Sequence, residues 1–181
     1  MIYVALLRGI NVGGNNKIKM AELKIGFESL GFQNVTTYLH SGNIVFQAAD
    51  ETKKGLALKI EAMIQATFDL MIPVLIRDSD DIEAVIVALP SDWKNDPTMK
   101  SDVLFLWEEV EETTLLEQLK PNPTIDTVYL IPGTILWMVA RENVNKSRLK
   151  QLVSHSIYKK TTVRNVNTTR KIADLMKNLV E

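Results

Sequence analysis

Cysteine is absent from this chain of 181 residues, and histidine occurs only at His40 and His155. The first absence excludes disulfides, thiolate nucleophiles and cysteine metal sites, and the second excludes a histidine-rich metal centre. Long apolar runs are also missing, since no stretch approaches the ~20 residues needed to span a bilayer. The opening segment, Met1 to Arg8, is apolar but short, with no basic leading region and no small-residue cleavage site. The expectation is therefore a cytoplasmic protein with no membrane partner, no cofactor and no metal. The sequons at Asn34, Asn145 and Asn167 then carry no glycans.

What remains is the composition of an ordinary globular protein. Hydrophobic residues make up 46% and charged residues 24%, which is enough apolar material for one large domain or two small ones. The net charge of −1 conceals an uneven distribution. Residues 1–77 carry +2, residues 78–120 carry −9, and residues 121–181 carry +6. The acidic middle reads as a solvated surface beside a basic one, with an interaction segment as the alternative.

The hydrophobic periodicities repeat. Ile2–Leu7 is a continuous apolar run bounded by Gly9, the pattern of a strand buried on both faces. Met20, Leu23, Phe27 and Leu30 recur at helical spacing, with Gly31 as the stop signal. Strands follow at 35–39 and 44–47 around His40-Ser41-Gly42-Asn43, where Gly42 and Asn43 are expected to take positive φ. A helix through Leu56, Ile60, Met63 and Ile64 and a strand at 73–77 complete a βαββαβ unit. Ser79-Asp80-Asp81 opens a capped helix that ends before Pro90.

Residues 90–102 are rich in turn formers and read as a linker. The pattern then restarts. A strand at 103–107, a helix at 113–119 and a hairpin of 127–131 with 134–139 follow, the hairpin closing on Pro132-Gly133 in a type II turn. Leu149, Leu152, Val153 and Ile157 mark a helix, 161–164 a strand, and Ile172, Leu175, Met176 and Leu179 a last helix. The fold class is α+β: two ferredoxin-like βαββαβ subdomains packed together, with an additional C-terminal helix. The expected boundaries are 1–89, a linker at 90–102, and 103–181. Apolar residues on both faces of strands 2–7 and 74–76 require that something cover the second face of the sheet.

Chemistry concentrates in three places. The loop from Arg8 to Lys19 carries Gly9, Asn11, Gly13, Gly14, Asn15 and Asn16 between basic residues, ahead of a helix start. Free N–H groups and flexible glycine suit an anion there, though an awkward strand-to-helix connection explains the same residues. The glycine spacing matches neither a phosphate loop nor a dinucleotide fingerprint. Ser41-Gly42-Asn43 is a second candidate, with a plain hairpin turn as its alternative. Arg164 and Asn165 form the third, with Asn167 or Thr168 expected to cap the last helix. His40 and Ser41 show no acidic partner that would make a catalytic set. The run Glu108, Glu109, Glu111 and Glu112 reads as a solvated helix start.

Leu6-Leu-Arg-Gly-Ile-Asn-Val-Gly-Gly14 with Lys19-Met20 resembles the opening motif of the bacterial family known as domain of unknown function 1697. The resemblance continues through Gly31-Phe32, Val35, Tyr38 and Ser41-Gly42-Asn43, and returns at Thr162-Val-Arg-Asn165 and Asn167-Thr168. His40 stands where such proteins often carry glutamine, and Val166 where an aromatic is common. The resemblance implies a two-subdomain α+β protein with ferredoxin-like character and supplies no reaction.

The functional expectation is a protein that binds an anionic or phosphorylated small molecule between its subdomains, reaction unknown. Arg8, Asn11, Gly13, Gly14, Lys19, Ser41, Asn43, Arg164 and Asn165 are the candidate contacts. The alternative is an RNA-binding module. Residues 2–7 superficially resemble the first-strand motif of RNA-recognition modules, and residues 141–181 hold 10 basic against 3 acidic side chains. Against it stand the missing paired aromatics in Asn43-Ile-Val-Phe46 and a pI near 6.2.

Overall fold

The computed structural model describes residues 1–152 and 154–179. The chain divides into two compact units, one of Met1–Ile82 with Ile172–Glu181 and one of Glu83–Lys171. The division falls between Ile82 and Glu83 and again between Lys171 and Ile172, so two helices each carry residues of both units.

The first unit runs β1 (Ile2–Leu7), α1 (Met20–Ser29), β2 (Gln33–Tyr38), β3 (Asn43–Gln47), α2 (Lys53–Phe68), β4 (Val74–Asp78) and the start of α3 (Ser79–Ala88). Its antiparallel sheet has the order β2-β3-β1-β4, the ferredoxin-like arrangement. Period-two alternation sends Tyr3, Ala5 and Leu7 to the helix-covered face, where they meet Phe27 of α1 and Leu56, Ile60 and Ile64 of α2. Tyr3, Phe27, Phe32 and Phe46 form a ring cluster, with Phe32 and Phe46 stacked at 4.6 Å. The opposite face carries Val4, Leu6, Asn43, Val45, Leu75 and Arg77, all buried. The second face is therefore out of solvent, as the apolar strands required.

The end of β4 is tied to α3 by reciprocal caps. Asp78 Oδ1 accepts from Asp81 N at 2.9 Å, and Asp81 Oδ2 accepts from Asp78 N at 3.1 Å. Asp78, one residue before the expected cap, is thus the residue that closes the helix start. Lys53 Nζ lies 2.7 Å from Asp78 and 2.5 Å from Asp81. Burial opposes the Lys53 charge, but the two carboxylates outweigh it and raise the ammonium above its ordinary value. Burial likewise opposes the Asp78 charge, and the Lys53 and Asp81 hydrogen bonds overcome it to hold the carboxyl below its usual range.

The depressed Asp78 contributes stability at pH above its unfolded value of about 3.9, and that contribution disappears as pH falls through the folded value. The raised Lys53 contributes fully below 10.5 and loses it as pH rises through its folded value. A Lys53→Met variant is accordingly expected to lose less stability than wild type between about pH 5 and pH 3. Urea midpoints across that range test this; parallel curves for the two proteins would refute it.

The second unit continues α3 and adds β5 (Met99–Leu106), α4 (Glu112–Leu119), β6 (Asp126–Ile131), β7 (Thr134–Ala140), α5 (Leu149–Leu152), β8 (Thr161–Asn165) and the first half of α6 (Val166–Lys177). The sheet order β6-β7-β5-β8 repeats that of the first unit. The correspondence extends to single residues. Val4 opposes Arg77 across β1 and β4, and Val103 opposes Arg164 across β5 and β8. Leu7 N donates to Gly42 O and Leu106 N to Gly133 O, at 2.8 and 3.0 Å. Gly133, at φ 71, supplies the positive φ that the β6–β7 turn demands.

Two expectations change. Met99–Asp102, read as linker, are the first half of β5, because Lys100 neutralises the buried Asp102 at 2.7 Å and lets polar residues enter a strand. The helix expected through 149–157 is a single turn, Leu149–Leu152, followed by a 3₁₀ helix, Ser156–Lys160; Val153 lies outside the described residues. His155 stands in extended conformation at ψ 141 and caps the 3₁₀ helix through Nδ1, which accepts from Ile157 N. An extended residue cannot continue the i→i−4 ladder.

Candidate functional site

The segment between β1 and α1 is a small hairpin, and its internal hydrogen bonds fix its shape. Asn15 N donates to Val12 O at 3.0 Å across Gly13 and Gly14, whose φ values of 60° and 82° are those of a mirror-image turn. Asn11 N donates to Asn16 O at 3.1 Å, and the Asn16 amide donates to Gly9 O at 2.9 Å. Ile10 and Ile18 anchor the base in the core. Between these anchors residues 12–17 are exposed.

Asn11 ties this hairpin to the β2–β3 turn. Its Oδ1 accepts from Ile18 N at 2.9 Å, while its Nδ2 donates to Ile18 O at 3.0 Å and to His40 O at 2.8 Å. Two candidate segments, 8–19 and 41–43, therefore meet within the first unit. Nothing in the sequence spacing requires this, because the link is a side chain reaching a backbone carbonyl. The β2–β3 turn takes its positive φ at Leu39 (58°) and Gly42 (79°), so Leu39 occupies the conformation expected of Asn43.

Each candidate side chain has a definite place. Arg8 is half-buried and its N–H donates to Pro73 O at 3.0 Å. Lys19 precedes α1 with its side chain 82% exposed and 3.1 Å from Glu22, a pair worth little in water. No side chain caps α1 at Lys19, and the N–H groups of Gly13 and Gly14 have no hydrogen-bond partner among the described residues. Asn43 is fully buried, and its amide donates to Tyr38 O at 2.8 Å and Ser41 Oγ at 3.2 Å. These two bonds brace the β2–β3 turn.

In the second unit Arg164 is buried, with Nη1 donating to Thr162 Oγ1 at 3.0 Å and Val163 O at 2.9 Å. Burial pulls its guanidinium down to about 10, which leaves it protonated at neutral pH. Asn165 Oδ1 accepts from Thr168 N at 2.9 Å and caps α6, the role expected of Asn167 or Thr168. Asn167 instead donates to Asn95 O at 3.0 Å. Asp78 and Asn165 thus cap equivalent helices from equivalent strand ends, a repeat that single-residue cap rules do not reveal.

The acidic run is dispersed among separate partners. Glu112 accepts from Gly133 N, Glu111 from Thr114 Oγ1 at 2.9 Å, and Glu109 lies 3.8 Å from Lys160. Among the described residues no three histidine or carboxylate side chains form a metal-binding group. None of the described helices is long and apolar enough to cross a membrane. RNA-recognition modules stack bases on an open sheet face. In the first unit that face, with Val4, Leu6 and Val45, is buried, and so is its counterpart, with Val103, Phe105 and Leu136.

A solved structure of a conserved bacterial protein from Streptococcus pneumoniae is similar at TM-score 0.83 and 30% identity, covering 97% of this chain and 98% of that one. No curated protein matches the chain. The model of a family of proteins of unknown function, DUF1697, matches residues 1–137. The chain belongs to the DUF1697 family.

Proposed function

We propose that the chain binds an anionic or phosphorylated small molecule at the hairpin between β1 and α1. One observation carries this reading. The two units make the same strand-to-helix connection, yet the first spends twelve residues on it, from Arg8 to Lys19, and the second only five, from Trp107 to Glu111. Topology asks for the short version. The additional residues form an ordered, solvent-facing turn whose Gly13 and Gly14 N–H groups point to no internal acceptor, between Arg8, Lys17 and Lys19.

Backbone donors beside cations and ahead of a helix start suit a phosphate or carboxylate. Asn11 and Asn16 serve the site by holding the turn in shape, so the ligand meets donors that are already arranged. Ser41 contributes from the neighbouring turn, which Asn11 secures.

Thermal unfolding in the presence of nucleotides and sugar phosphates tests the proposal. Stabilisation by at least one of them is expected, and it should fall in an Arg8→Ala variant. No stabilisation by any compound, or full stabilisation of Arg8→Ala, would count decisively against the reading.

A further inference from the structure

The second unit contains a cavity of about 240 Å³ on the helix-covered face of its sheet. It originates in a difference between the repeats. In the first unit the β3–β4 connection carries the sixteen-residue α2, which lays Leu56, Ile60, Met63 and Ile64 on the sheet. The matching β7–β8 connection carries only the four-residue α5 and a 3₁₀ helix. Leu149 and Leu152 of α5 pack with Leu104, Leu106 and Trp137. Beside them, at Lys100, Asp102 and Val139, the face lines the cavity.

The residues at that end differ in kind from their counterparts. Tyr3, opposite Phe46 and Asp78, corresponds in register to Asp102, opposite Trp137 and Asn165. Where the first unit packs a ring on Phe46, the second places a buried carboxylate with Lys100 Nζ 2.7 Å away. A buried ion pair is a poor source of stability compared with well-packed apolar groups. Lys150, across the cavity, spends one of its three donors on Asn145 Oδ1 at 2.9 Å. The remaining wall is largely apolar, with Val139, Val144 and Val163.

From this arrangement we infer that the second unit binds a small carboxylate with an apolar body, distinct from the ligand proposed for the first unit. Lys100 and Asp102 neutralise each other, so among the described lining residues Lys150 is the cation without a carboxylate partner. Lys150 therefore takes the ligand's anionic end, and the valines take its hydrocarbon. At about 30 Å³ for each water displaced, the cavity holds about eight non-hydrogen atoms, which bounds the ligand to small acids.

Titration of the full chain with 4-methylpentanoate, followed by methyl NMR, tests the inference. Shifts are expected at the Val139, Val144 and Val163 methyls, with affinity roughly tenfold above that of 4-methylpentan-1-ol. Lys150→Gln, at an exposed side chain, should reduce the acid to the affinity of the alcohol. Val144→Phe, which extends a ring into the cavity from a half-buried position, should abolish binding without shifting the unfolding midpoint. Equal affinity for acid and alcohol, tighter binding of 4-methylpentylamine, or no methyl shifts at millimolar acid would each overturn the assignment. Unchanged binding by Lys150→Gln would overturn it as well.

Discussion

An Asp126→Ala variant is expected to lose about 4 kcal/mol of stability in urea unfolding, because it orphans donors that water cannot reach. Asp126 begins β6 and is buried. Its Oδ1 accepts from Trp137 Nε1 at 3.1 Å and Ser147 Oγ at 2.5 Å, and its Oδ2 accepts from Asn122 N at 2.8 Å and Arg148 N at 3.3 Å. One carboxylate thus joins the loop before β6, the centre of β7 and the segment leading into α5.

Trp137 is fully buried and Ser147 nearly so. Each buried donor left without an acceptor costs about 1–3 kcal/mol, and two of them set the expected loss. Asp126→Asn keeps one acceptor oxygen but turns an amide toward two backbone donors, so roughly half the loss is expected. A double-mutant cycle separates this mechanism from simple cavity formation. With Trp137→Phe the indole donor no longer exists, and Asp126→Ala should cost about 1–2 kcal/mol less on that background. Strict additivity of the two substitutions would show that the hydrogen bond is not the cause.

Strand and helix periodicities were legible wherever one rule governed a segment. Ile2–Leu7 is an unbroken apolar run and folds as the strand it suggests. Gly133 marks its hairpin because the turn needs a positive φ that other residues resist. Legibility failed where tertiary partners overrode local pattern. Lys100, Ser101 and Asp102 look like linker, yet they form strand because an ion pair satisfies the buried Asp102. The helix expected through 149–157 has the right apolar spacing, but His155 leaves helical geometry to cap the next turn.

The site divides in the same way. Glycine and asparagine composition pointed to residues 8–19, and that composition explains the ordered hairpin found there. The partnership of this hairpin with the β2–β3 turn was not legible, since it depends on Asn11 reaching His40 O. Nor does composition reveal that the first unit's loop is longer than topology requires. That emerges only when both repeats are aligned through their strand registers, with Val4 and Val103 opposite buried arginines. The grouping of Asp126, Trp137 and Ser147 is not legible in the sequence, because no motif links residues at those spacings; only the folded chain brings them together.

The β2–β3 turn provides the second large effect. Gly42→Ala is expected to cost about 3 kcal/mol and to disturb the hairpin that holds the proposed anion site. Gly42 sits at φ 79, where a β-carbon is strained whatever space surrounds it. Space is also lacking, since a β-carbon there would lie 2.6 Å from Leu7 Cβ and 2.9 Å from Ile10 Cδ1. Leu7 is fixed in β1, and its N–H is bonded to Gly42 O at 2.8 Å, so neither side can retreat without breaking that bond. Ile10 anchors the 8–19 hairpin, and a displaced Ile10 shifts Asn11 and the Gly13–Gly14 turn with it. Gly13→Ala is the control. Its φ of 60 carries conformational strain, but no atom lies within 4 Å of an added β-carbon, so a loss of about 1 kcal/mol is expected. Urea unfolding should therefore rank Gly42→Ala well below Gly13→Ala. Phosphate-ligand stabilisation should weaken in Gly42→Ala even where the protein remains folded, because the turn that presents the donors has moved. Equal losses for the two glycines would remove the steric argument, and undiminished ligand stabilisation in folded Gly42→Ala would separate the turn from the site.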